Sequence, residues 1–276
     1  MKKNIVQGSQ NTLKCGLVTL IALAFLLSAN QSEAAVGDIF TDNNFKYTVL
    51  TEEGTTGTVS VAKQSESVPS GAVVIPDSVT NGSVTYSVTD IGQHAFQNCS
   101  ILTSITIPDS VTIIRFSAFR ECSSLANITI PDSVTFIGIV AFLECSSLTS
   151  VVIGKSVNCI GGLSFAGCKS LTTVYFKGDA PVLYQEPNFG SYPILYYIEG
   201  TSGWTTPTWN GYRTAIWEPP TLSFEVKEGK LILAYSGGSL QASSDLILWN
   251  PVEGALEGKY EVDLPKTGKT FYRIAQ

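Results

Sequence analysis

The chain has 276 residues, of which 44% are hydrophobic and only 14% charged. A charged fraction well below the usual ~25% argues against disorder, which is charge-rich, and leaves Ser, Thr and Asn to supply the polar surface. The formal net charge is −6, which argues against nucleic acid as a partner because phosphate binding needs clustered Lys and Arg.

Residues 1–35 read as a secretory signal peptide. Lys2, Lys3 and Lys14 precede an apolar run over residues 16–29, and Ser32, Glu33, Ala34 and Ala35 supply a small-residue cleavage site. The run is shorter than the roughly 20 apolar residues of a membrane span; an uncleaved signal anchor is the alternative. Cys15 precedes the apolar core, which speaks against a lipoprotein anchor. Cleavage near residues 34–35 leaves 14 basic and 22 acidic residues, a net charge of −8. No later segment reads as a transmembrane span, so the expectation is an exported protein, secreted or on the cell surface.

Residues 36–70 are expected to form an N-terminal β cap, with strands at 45–50 and 57–61. A repeat follows over residues 71–180. Cys99, Cys122, Cys145 and Cys168 are spaced by 23 residues, and so are Phe96, Phe119, Phe142 and Phe165. Three units, from Leu102, Leu125 and Leu148, run almost in register. An earlier unit from Val73 carries nine extra residues, most simply around 81–87, and a partial unit starts at Leu171. Each unit has a short β-branched stretch, a Pro-Asp-Ser punctuation, a second short stretch and a tight return. A period of 23 is too short for a helix pair and suits one coil of a leucine-rich solenoid, whose periods run about 20–29. No coil buries its apolar side alone, so neighbours must stack. Five coils at ~4.8 Å per strand extend only about 20–25 Å.

Equivalent cysteines in successive coils point the same way, whereas a disulfide needs converging Cβ vectors. The leading reading is a ladder of buried thiols. Cys159 stands where Ile113 and Phe136 stand in earlier coils and reads as another core residue; a Cys159–Cys168 bridge is the alternative. Zinc is disfavoured because the row does not converge and the sole histidine is His94.

The units LTSITIPDSVTIIRFSAFREC, LANITIPDSVTFIGIVAFLEC and LTSVVIGKSVNCIGGLSFAGC resemble the BspA-like, or Treponema pallidum-type, leucine-rich repeats of bacterial surface and secreted proteins. The resemblance extends over about residues 40–217. Arg115 departs from the family's usual Gly, and Gly154-Lys155 replaces Pro-Asp in the last full coil. The resemblance implies a secreted or cell-surface protein that binds other macromolecules, adhesion being the best known role. It carries over no fixed set of binding residues.

Residues 181–218 hold nine aromatics between Tyr184 and Trp217. They read as a C-terminal cap whose rings pack on the last coil, or as a platform for glycan or protein. Pro219-Pro220 marks a boundary. Residues 219–276 show strand-like runs at 222–226, 230–235, 247–249, 259–264 and 270–274, the pattern of a small β-sandwich-like module. They resemble a C-terminal β-module of secreted multidomain bacterial proteins. Residues 264–268, Leu-Pro-Lys-Thr-Gly, match a sortase signal but lack its apolar span and basic tail, and read instead as a hairpin turn.

The fold class expected is therefore mostly β: a short leucine-rich-repeat solenoid with caps at both ends and a small β module behind it. No HExxH, GxSxG or phosphate-cradling loop is present, so no enzyme, cofactor or metal is expected. Asp109 and Asp132 recur one coil apart as turn residues; calcium there is disfavoured by Lys155 at the next equivalent position. Asn81, Asn98 and Asn127 sit in glycosylation sequons, meaningful only in a glycosylating cell. The function expected is non-catalytic binding of an extracellular protein or glycan. The binding candidates are Arg115 and Arg120 on a polar repeat surface that includes Thr103, Ser104, Thr106 and Thr129, and Tyr196, Tyr197, Trp204 and Trp209 in the cap. A spacer role in the envelope or matrix is the alternative, with polysaccharide hydrolysis a distant third.

Overall fold

The computed structural model describes residues 36–42, 45–64, 68–184, 188–219, 221–227, 230–235, 239–243, 250–251, 258–263 and 271–275. The signal-peptide reading, the strand at 247–249 and the sortase-like sequence lie outside the described residues. Two compact units divide between Ile216 and Trp217.

The first unit opens with a β-meander of β1 (Ile39–Asp42), β2 (Phe45–Glu53) and β3 (Thr56–Lys63), all antiparallel. The alternation of Phe45, Tyr47 and Val49 on β2 buries one face, as period-2 patterning requires. The irregular first coil holds β4 (Gly71–Val74), β5 (Ser78–Asn81) and β6 (Val84–Ile91). Its extra residues form the β5–β6 hairpin, turned at Gly82 with φ of 61°. β6 then pairs parallel with β3 and joins the cap to the solenoid.

The coils that follow alternate between two sheets. Their strands are β7 (Leu102–Thr106), β8 (Ile113–Ile114), β9 (Asn127–Ile130), β10 (Phe136–Ile137), β11 (Ser150–Ile153), β12 (Cys159–Ile160), β13 (Thr173–Phe176), β14 (Val182–Leu183), β15 (Ile194–Tyr197), β16 (Thr208–Trp209) and β17 (Tyr212–Ile216). One sheet runs β9, β11, β13, β15, β17 and β16; the other runs from the cap through β6 to β8, β10, β12 and β14. Parallel register is held coil to coil, for example Val151 opposite Val174 and Ile128. The Pro-Asp-Ser corners stitch in both directions. Ser133 Oγ donates back to the Val111 carbonyl at 2.6 Å, while Asp132 Oδ1 accepts the Lys155 N–H one coil ahead at 3.3 Å. The aspartate thus serves the following coil, not its own turn.

Inside, Phe96, Phe119, Phe142 and Phe165 stack with centroids 5.0–5.3 Å apart and planes within 9°. Phe189 adds a fifth ring at 5.3 Å. The column ends edge-on, against Phe45 at 81° on one side and Tyr212 at 88° on the other. Beside it run the cysteines. Cys99, Cys122, Cys145 and Cys168 are free and buried, so the thiol ladder stands and the Cys159–Cys168 bridge does not. Cys122, Cys145 and Cys168 each donate an S–H to the carbonyl of Phe96, Phe119 or Phe142, at 3.1–3.2 Å. Hydrogen bonding to Cys122 and Cys168, with burial, holds the Cys145 thiol well above the ordinary range. Cys159 is buried as expected but belongs to a smaller cluster with Ile113, Phe136 and Val182, apart from the main core. Strand alternation causes this: its neighbour Ile160 takes the inward position.

The second unit holds β18 (Leu222–Lys227), β19 (Lys230–Tyr235), β20 (Ser239–Ser243), β21 (Asn250–Pro251), β22 (Gly258–Asp263) and β23 (Phe271–Ala275). They form two three-stranded antiparallel sheets, β18-β19-β22 and β21-β20-β23. Tyr272 of β23 packs on Leu233 and Tyr235 of β19, so the sheets face one another as in a small sandwich.

Phe142 sits mid-column with both faces stacked. Phe142→Ala is expected to cost about 3–5 kcal/mol in urea unfolding; a loss under about 1 kcal/mol would mean that the column is not an essential part of the core.

Candidate binding surface

On the β9–β17 sheet, alternate residues leave the core. Leu195 and Val174 point in, while Tyr175 and Tyr196 face out, half exposed. Their rings stack at 5.1 Å with 21° between planes. The register Thr129–Val152–Tyr175–Tyr196 makes one outward row, hydroxyl at one end and aromatic at the other.

At the hydroxyl end the sheet is broken. β7 pairs with β4 and β9 pairs with β11, but β7 and β9 belong to different sheets. A cleft of about 810 Å³ opens over the break, lined by Ser104, Ile105, Thr106, Asn127, Ile128 and Thr129, with Asp109, Asp132 and Lys177 toward one end. Gly154 lets its coil settle so closely on the one before that an added Cβ would lie 2.2 Å from the Pro131 carbonyl oxygen. Pro131, at the equivalent position one coil earlier, offers no N–H, whereas Lys177, one coil after Gly154, donates its N–H to the Ile153 carbonyl at 3.0 Å.

The charged groups are largely engaged. Lys177 reaches across a coil to Asp132, Nζ to Oδ1 at 3.3 Å. Asp109 and Asp132 both line the cleft, but as equivalents in adjacent coils they stand side by side. Glycosidic cleavage needs carboxylates on opposite sides of the bond.

The cap candidates divide. Tyr196 is presented outward. Tyr197 stacks on Trp204 at 5.3 Å and 7°, and Trp204 donates its indole N–H to the Gly178 carbonyl at 3.1 Å. Trp209 is buried against Trp204. These three rings close the end of the solenoid; they do not form an open platform.

The arginine candidates are also committed. Arg120 pairs with its neighbour Glu121 at 2.9 Å on the surface. Arg115 binds buried Asp90, Nη2 to Oδ1 at 2.6 Å, so the residue that replaces the usual Gly answers a carboxylate in the irregular coil. His94, Ser117, Val140 and Leu163 all adopt positive φ between 52° and 57°; His94 marks a sharp corner of the coil. The sequence reading missed Tyr175, Lys177 and the cleft. Tyr175 and Tyr196 are paired at a separation of 21, two short of the period.

Parallel strands in register every 23 residues around an apolar column define the class, a leucine-rich-repeat solenoid. Residues 75–187 match the BspA type leucine rich repeat region in 6 copies. No curated protein matches the chain. Among solved structures it is similar to the pneumococcal vaccine antigen PcpA, at 25% identity over 60% of this chain and 51% of that one, with a TM-score of 0.47. The chain thus spans about half of that antigen's length. It is also similar to a leucine-rich repeat protein from Bacteroides capillosus (24% identity, 54% of this chain, 99% of that one, TM-score 0.31). A third is the Treponema pallidum leucine rich repeat protein (20% identity, 56% of this chain, 86% of that one, TM-score 0.32).

Burial raises the Asp90 carboxyl above its ordinary value, against the opposing pull of the Arg115 guanidinium and the Thr89 hydroxyl. A raised folded-state value gives stability that is full below about pH 4, the unfolded carboxylate range, and is lost as pH rises through the folded value. The unfolding free energy of the wild type relative to Asp90→Asn is therefore expected to fall as pH rises from about 4 to 7. A difference that grows over that interval would show that Arg115 outweighs desolvation.

Proposed function

We propose that this protein is a non-catalytic binding protein, secreted or displayed on the cell surface, that engages an extracellular protein or glycan through the outward face of the β9–β17 sheet. The observation that carries the reading is the Tyr175–Tyr196 stack, presented outward while Tyr197, Trp204 and Trp209 are packed into the closure. A rigid sheet loses little entropy on binding, and stacked tyrosines offer large, stiff contact area with polar tips. The BspA-type repeats and the signal-peptide reading support an extracellular location. Among the described residues no helix is long and apolar enough to cross a membrane.

The test is a binding screen of the full chain against a glycan array and a panel of extracellular-matrix proteins. Tyr175→Ala/Tyr196→Ala is expected to weaken a saturable hit at least about tenfold, since truncating interface hot spots typically costs 2 kcal/mol or more. Equal weakening by Arg120→Ala alone would move the site to the coil corner. No saturable hit on either panel would overturn the reading and favour a spacer.

A further inference from the structure

We propose that the cleft between β7 and β9 binds a segment of an uncharged glycan chain, which continues along the outward row toward Tyr175 and Tyr196. This deepens the assignment of the sheet face as the binding surface and rests on it. The break is the first argument. The facing edges of β7 and β9 are not joined in one sheet: the Ala126 N–H reaches the Thr103 carbonyl at 3.3 Å, and the cleft opens beyond that bond, toward Thr106 and Thr129. Pro131 has no N–H to offer across the break, whereas Lys177, two coils on, makes the corresponding bond to the Ile153 carbonyl.

The lining chemistry is the second argument. Ile105 and Ile128 form an almost fully buried apolar floor, and the hydroxyls of Thr106 and Thr129 with the Asn127 amide stand exposed above it. Hydroxyl and amide groups both donate and accept, which matches sugar hydroxyls that do the same. About 810 Å³ falls within the range of ordinary ligand clefts, roughly 300–1,000 Å³.

Charge narrows the class. Among the described residues that line the cleft, Lys177 is the one cation, and Asp132 holds it. Asp109 adds a further carboxylate, so uronate or sulfate groups meet a negative lining. A peptide fits less well. Strand addition needs an open edge, and each of these edges has the other across the cleft. The in-register row from Thr129 to Tyr196 spans three strand spacings, about 14 Å, enough for a chain of several sugars ending on the tyrosine stack.

The experiment is affinity electrophoresis and calorimetry of the full chain with a soluble β-glucan, an α-mannan and a xylan, beside polygalacturonate and heparin. At least one neutral polysaccharide is expected to bind and both acidic ones to fail. The near-isosteric Thr106→Val/Thr129→Val variant, with folding checked by its circular-dichroism melt, is expected to bind about tenfold more weakly through loss of two hydrogen bonds. Asn127→Ala is expected to bind several-fold more weakly. Preference for the acidic polymers, or unchanged affinity in both variants, overturns the proposal. Binding to a matrix protein that depends on Tyr175 and Tyr196, without binding to any neutral polysaccharide, overturns the glycan assignment and leaves the surface reading standing. Binding to nothing overturns both.

Discussion

Everything in the first unit depends on one constraint: a 23-residue coil cannot satisfy its own backbone or bury its own apolar side. Its partners are the coils before and after it. The phenylalanine column and the thiols beside it are two expressions of that dependence, since each ring covers the next and cysteine S–H groups donate to carbonyls of the preceding coil. A stack of this kind has two raw ends. Both are closed by turning a ring through nearly a right angle, Phe45 at one end and Tyr212 at the other. An edge-on ring ends a stack because it leaves no parallel face for a further one.

Where every coil repeats, nothing distinguishes one place on the surface from another. Distinction arises where the repeat is altered. The sheet opens between β7 and β9 and closes between β9 and β11, where Gly154 stands in the place of Pro131 and its coil packs closely on the one before. Tyr175 and Tyr196 replace the threonine and valine of earlier coils in the same outward row. Arg115 is an alteration of another kind, balancing buried Asp90. Three departures from one motif thus have three different consequences, and geometry separates them.

The same distinction explains what could be read from the sequence. Phe96 to Phe165 and Cys99 to Cys168 share an unbroken period, and the column and thiol ladder follow from it directly. Phe189 belongs to that column, but at 24 residues from Phe165 it slips out of the count. The Tyr175–Tyr196 pair hides in the same way, at 21. The Arg115–Asp90 pair was hidden because Asp90 lies in the irregular coil, where alignment gives no equivalent. The Gly154 substitution was in plain view, yet its meaning lies in the distance between two coils, which no residue states alone. Trp204 and Trp209 show the converse: aromatic composition flagged them, and their packing assigned them to the closure.

The stitching between coils also sets an order of events. Hydrogen bonds between coils span about one period, such as Thr149 to Ala126 and Cys168 to Phe142. A chain emerging N-terminus first therefore meets its cap early, and each coil finds its partners once about one further coil has appeared. Repeat stacks add structure by nearest-neighbour contact from wherever it first forms, so a chain made from its N-terminus has the meander as its first available template and the aromatic closure as the last piece of the solenoid.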